Sequence, residues 1–147
     1  MDAKSLARAA LAAFATGDTS AAENIIAPDY QNLESGDRSD ARGPQEFRDT
    51  VAWIHRAFAE LRYDEVAMLA DEAQVIAWAV LHGRQAGPFL GIAPEGRRFA
   101  VEQVHLFRVA GGRLTGHRAV RDDLRLLLTL GARVLRPDGQ PLAVHQR

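Results

Sequence analysis

The segment from Val101 to Leu130 constrains this chain most, because it reads as a β-hairpin running directly into an amphipathic helix. Side chains on a strand alternate faces, so Val101, Gln103, His105, Phe107 and Val109 share one side, and Glu102, Val104, Leu106 and Arg108 the other. Two hydrogen-bonding groups in an otherwise apolar row are what a sheet lining a ligand cavity requires. Gly111-Gly112 marks a tight turn. A two-residue loop there sets Val101 opposite Asp122 and His105 opposite Arg118, which brings Arg118, Val120 and Asp122 onto the Gln103 face. His105 and Asp122 would then stand about 13 Å apart on a ladder rising about 3.3 Å per residue, with a substrate between them. A three-residue loop with a glycine bulge is the competing reading. It slips one strand by a residue and turns His117 inward instead.

Upstream, the periodicity is helical first and strand-like afterwards. Leu6, Ala9, Ala10, Ala13 and Phe14 put an amphipathic helix over Asp2 to Ala15, ending at Gly17. Asp18 or Thr19 would cap a short second helix through Ile26, stopped before Pro28, and Asp29 to Leu33 is extended. The polar run from Glu34 to Gly43 is a surface loop. Pro44 opens a long helix with Phe47, Val51, Ile54 and Phe58 as its stripe and Trp53 on the flank. Four strand-like runs follow, at Arg62 to Leu69, Gln74 to Arg84, Arg98 to Ala110 and Arg113 to Arg121. Asp122 to Leu130 is helical again, with Leu124, Leu127 and Leu128 apolar and Gly131 as the stop. Helices followed by a meander predict an α+β domain in which helices cover one face of a curved, mostly antiparallel sheet. The domain is expected over residues 1–131, with 132–147 as a tail carrying the Pro137-Asp138-Gly139 turn.

The 147 residues suffice for one domain with room for an internal pocket. A net charge of −1 with scattered arginines argues against nucleic acid as a partner, since phosphate neutralisation needs a concentrated positive face. The absence of cysteine excludes thiol chemistry and fits a reducing compartment. The first residues lack the charged head and apolar run of a signal peptide, and no stretch is long and apolar enough to span a membrane. A cytoplasmic protein is expected. Phosphate-binding glycine loops, nucleophile elbows and zinc-binding helix motifs are missing, and His55, His82, His105, His117 and His145 lack ligand spacing, so no metal is expected.

The candidate site residues each carry two readings. Asp122, at a strand end that opens a helix, is a natural N-cap; with Asp123 as the cap instead, Asp122 faces the cavity as a carboxylate whose pKa an apolar wall would raise toward general acid–base duty. His105 is either a hydrogen-bonded core histidine or a site residue beside Gln103. Arg118 facing inward would pair with Asp122 or Glu102 or anchor an anionic ligand; facing outward it is a solvated charge. Tyr30, Trp53, Trp78 and Phe89 are either core or the walls of a pocket for flat rings.

Several motifs resemble one family. They are Thr16-Gly17-Asp18 after the first helix, Ala27-Pro28-Asp29-Tyr30, and the loop Gly87-Pro-Phe89-Leu90-Gly91-Ile92-Ala-Pro94-Glu-Gly96-Arg97. Gly112-Arg113-Leu114, His117-Arg-Ala-Val-Arg-Asp122-Asp123-Leu124 and Leu130-Gly131 complete the set. In this order and spacing the chain resembles the SnoaL-like polyketide cyclases of the nuclear-transport-factor-two-like superfamily. The resemblance implies a cone-shaped α+β barrel enclosing a deep pocket and dimerising through its sheet. It also implies cofactor-free acid–base catalysis by Asp122, closing a ring in a polyketide ester. His105 and Gln103 would hold the carbonyl and spread its developing charge, and Asn32 matches a pocket asparagine. Three departures stand out: Leu33 replaces a histidine common after that asparagine, Gln85 replaces another histidine, and Arg118 replaces a tryptophan. They leave open an epoxide-opening cyclase or hydrolase using water held by Asp122 and Asn32, or a non-catalytic binding protein on the same fold.

Overall fold

The computed structural model describes residues 1–34 and 40–142. Residues 35–39 of the expected polar loop and the last five of the expected tail lie outside the described residues. Helix α1 (Ala3–Thr16) starts where Asp2 accepts the Ser5 N–H at 2.8 Å and stops at Gly17, whose φ of 81° permits the left-handed turn. A single turn, α2 (Ala22–Ile25), leads into β1 (Ile26–Asn32), so Pro28 lies inside an edge strand and not beyond a helix end. Helix α3 (Gly43–Ala57) gives way to β2 (Phe58–Ala70) four residues earlier than the pattern suggested. Phe58 continues the helical stripe by spacing, yet it pairs with Gln85 as a strand residue, and Glu60 at φ 56° marks the irregularity that follows. Strands β3 (Gln74–Gln85), β4 (Arg98–Ala110) and β5 (Arg113–Arg121) and helix α4 (Asp123–Thr129) complete the order.

The five strands are ordered β1-β5-β4-β3-β2, antiparallel except for the parallel β1–β5 pair. The α+β reading with helices over a curved sheet therefore holds. The barrel expectation does not: β1 and β2 are opposite edges and do not pair, so the sheet is curved but open. Helices α1 and α3 cover its concave side. Leu6, Ala10 and Phe14 of α1 pack with Phe47 and Val51 of α3 over Val75, Phe107 and Leu114. A second apolar cluster, with Phe58, Leu81, Phe99, Val101 and Leu126, lies toward α4.

Register in the β4–β5 hairpin decides which residues face inward. Gly111 and Gly112 both have positive φ (58° and 71°), as the two-residue turn demands, and Ala110 pairs with Arg113. The ladder then slips between Arg108 and Val109: Val109 pairs with Leu114, but Arg108 pairs with Gly116. The extra residue in β5 reverses its parity, so Leu114 and His117 are both buried although they lie three apart. Beyond the bulge His105 faces Ala119 and Gln103 faces Arg121. The two-residue turn was thus expected correctly, while the pairing drawn from it, His105 with Arg118 and Val101 with Asp122, is off by one.

Candidate active site

A cavity of about 290 Å³ opens between the concave sheet face and helices α3 and α4. Its walls are apolar. Trp53 packs edge-on to Phe89 with ring centroids 5.9 Å apart, and Phe58 lies 4.9 Å from Phe89 and 5.1 Å from Phe99. Phe89 sits on the Gly87 to Gly96 loop, and Gln85 pins that loop from beneath by donating its amide hydrogens to the carbonyls of Gly87 and Ile92 at 3.1 and 2.9 Å. Gln85, one of the departures from the family pattern, is fully buried and serves the loop in this way.

The floor is polar and buried. Gln103 and His105 project from β4, His117 from β5 and Asn32 from β1, all 6% exposed or less, so their hydrogen bonds with one another form in a low-dielectric setting. The two histidine rings lie within 20° of parallel with centroids 5.2 Å apart, and Phe107 lies 4.8 Å from His117. Burial foremost, and then the Arg121 charge, push the His105 pKa down to about 4. His117 is lowered as well, by burial first and then by His105 and Arg121. Both rings are therefore neutral near pH 7.

Charge gathers at the rim. Arg121 lies 3.4 Å from Glu34 and 3.5 Å from Asp123, and all three line the cavity. Glu34 is held in place by accepting the Ala119 N–H at 3.0 Å.

Of the residues expected at the site, the structure brings Asn32, Trp53, Phe89, Gln103 and His105 to the cavity. Four others lie elsewhere. Arg118 is exposed on the convex face, opposite Leu106, because the bulge reverses its direction; Arg121 takes the inward position. Asp122 caps α4, accepting the Arg125 N–H at 3.1 Å with its side chain half exposed, while the neighbouring Asp123 lines the cavity. Trp78 lies on the convex face, since its neighbours Ala77 and Ala79 take the inward positions of β3. Tyr30 is completely buried in the core, edge-on to Phe47 at 6.2 Å. Glu34, Thr50, His117, Arg121 and Asp123 also line the cavity and were not among the expected residues. His117 was legible only as the outcome of a slipped register, and Arg121 follows from the same slip. Among the described residues no group of histidine and acidic side chains could hold a metal ion.

Residues 4–130 match the model of the family described as SnoaL-like polyketide cyclase. The chain belongs to that family. Among its relatives, the nogalonic acid methyl ester cyclase of Streptomyces nogalater is 37% identical over 122 residues, covering 82% of this chain and 91% of that enzyme. The aklanonic acid methyl ester cyclase AcmA of Streptomyces galilaeus is also 37% identical, over 72% of this chain and 74% of its own length. Among solved structures, TsrD of Streptomyces laurentii superposes with a TM-score of 0.76 at 26% identity, covering 87% of this chain and 93% of that one. The family expected from the loop and hairpin motifs is thus the family found.

Proposed function

We propose that this SnoaL-like protein closes a ring in a polyketide methyl ester by cofactor-independent acid–base catalysis. The observation that carries the reading is an aromatic-walled cavity with a buried polar floor, in a chain 37% identical to a methyl ester cyclase over most of both lengths. In such a closure a C–H bond next to a carbonyl breaks and its electron pair forms an enolate. The enolate carbon attacks a second carbonyl, and the resulting alkoxide takes up a proton, so product and substrate are isomers. Gln103, held by His105, would engage an oxygen of the reacting dicarbonyl, and Trp53 and Phe89 would wall one side of the planar rings. Arg121, in place of Arg118, would balance the enolate charge. Asp122 remains the acid–base group of this reading. Its support is its position in the family motif, next in the chain to the lining residues Arg121 and Asp123, and acting on a substrate requires it to leave its cap on Arg125.

A homodimer packed sheet to sheet and a cytoplasmic setting belong to the same reading. Trp78, Val104 and Val120 lie in register across the convex face and are exposed, forming an apolar row suited to a second copy. Sedimentation of Trp78→Glu beside the wild type tests the dimer: a monomer for the variant alone supports it, and a monomeric wild type refutes it.

The function is tested by mass spectrometry of wild type and Asp122→Asn incubated with anthraquinone-type methyl esters and epoxide-bearing polyketides in oxygen-18 water. An unlabelled isomer from the wild type is expected. Incorporated label would replace the reading by epoxide hydrolysis, and binding without turnover would replace it by a carrier.

A further inference from the structure

A chain of side-chain hydrogen bonds leaves the pocket floor and runs into the core. It passes from Gln103 to His105 at 2.8 Å, from His105 to His117 at 2.9 Å and from His117 to Asn32 at 3.0 Å. From there it continues from Asn32 to Thr50 at 3.0 Å and from Thr50 to Glu46 at 3.1 Å. The inner end fixes the direction of every bond. The Glu34 backbone N–H can only donate, and it lies 3.0 Å from the Asn32 side-chain oxygen, so that oxygen is an acceptor and the amide nitrogen faces Thr50 Oγ1. Thr50 passes its own hydrogen to a Glu46 oxygen. The bond to Asn32 Oδ1 must then come from a hydrogen on His117 Nδ1.

A neutral imidazole carries one N–H. His117 Nε2 is therefore a lone pair, filled by the hydrogen on His105 Nδ1, and His105 Nε2 is a lone pair facing Gln103. An oxygen against that lone pair would be repelled. The structure sets Gln103 Oε1 2.8 Å from His105 Nε2; since the two ends of the amide are interchangeable in shape, the one-way chain reverses that assignment, turning the amide nitrogen to His105 and the carbonyl oxygen to the cavity.

We propose that this one-way chain makes the pocket floor a hydrogen-bond acceptor, so that the ligand it selects presents an O–H there, an enol or a phenol, and not a bare carbonyl. The inference deepens the cyclase reading and rests on it for the chemical class of ligand. A β-dicarbonyl substrate would be held as its enol, the tautomer whose carbon is nucleophilic. His117 and Asn32 are positioning residues in this arrangement: they determine which nitrogen of His105 carries the hydrogen. The neutral His105 is thus an acceptor and not the carbonyl-polarising donor that the family resemblance implied.

Nitrogen-15 NMR of histidine-labelled wild type reads the tautomers directly, with His105→Gln and His117→Gln spectra to assign the signals. Lone-pair shifts at Nε2 of both rings are expected; a hydrogen on His105 Nε2 at neutral pH overturns the proposal. Calorimetric titration of the wild type with a hydroxyanthraquinone and with its methyl ether supplies the second reading. The phenol is expected to bind at least about tenfold more tightly, because the ether leaves the acceptor unpaired. Asn32→Leu, which frees His117, is expected to remove the preference, and Asn32→Asp, which keeps an acceptor oxygen, to retain it. Equal affinities, or no binding of either probe to the wild type, refute the proposal. Should a variant fail to fold, the wild-type spectrum and affinity ratio decide. A protein that shows the tautomers and the preference but turns over no ester would refute the cyclase reading alone.

Discussion

Acidification from about pH 7 to pH 5 is expected to remove stability through the buried histidine pair, well before exposed carboxylates titrate. The His105 pKa is held down at about 4 in the folded protein, chiefly by burial, against about 6.5 in the unfolded chain. The unfolded state therefore binds the extra proton over this interval, so stability is complete above about pH 6.5 and falls as pH falls toward 4. For His105 alone the loss between pH 7 and pH 5 is about 2 kcal/mol. The lowered His117 adds in the same direction, and the two rings titrate as a pair. The groups surrounding them offer no relief. Arg121 opposes protonation, and Tyr63, edge-on to His105 at 5.7 Å, has its own hydroxyl pushed up by burial. Urea unfolding at the two pH values reads the effect as a fall in midpoint of about 1 M at the usual dependence for a domain of this size. His105→Gln, which retains hydrogen-bonding groups and cannot titrate, should flatten the dependence, leaving the share of His117. An unchanged pH slope in that variant would show that His105 is not a buried neutral base and would refute the reasoning.

Other expectations are more local. Asp122→Ala, which removes the α4 cap, should cost about 1 kcal/mol in chemical denaturation. Asp122→Asn keeps a capping oxygen and should hold its stability while turnover falls about a hundredfold, as loss of a general acid–base group requires. Gly87→Ala would place a methyl 2.0 Å from the Arg56 carbonyl oxygen, and the backbone shift it forces should lower stability by about 2 kcal/mol in the same assay. Arg121→Ala should weaken binding of an anionic ligand about tenfold, whereas Arg118→Ala on the convex face should leave it unchanged; calorimetry separates the two.

The alternation along β4 puts Gln103 and His105 on one face from the sequence alone, because strand periodicity is a local property of the backbone. The same holds for the helical stripe of α3, the Gly111-Gly112 turn and the stop at Gly17, each governed by residues within a few positions of one another. Family membership was legible for a related reason: the motifs that carry it are contiguous in the chain. What local rules could not settle was the partner of each residue. The bulge near Thr115 is not demanded by its own sequence. It results from burying both Leu114 and His117 against elements far away in the chain, Leu114 among α1 and α3 residues and His117 against Asn32 of β1. That single extra residue reversed Arg118 and Arg121 and brought His117 beside His105, and so created the polar chain to Glu46. The sequence by itself thus determined the elements, the turn and the polar row on β4. Only the tertiary structure decided which charges face the pocket, since strand parity beyond a bulge depends on what the whole core must bury.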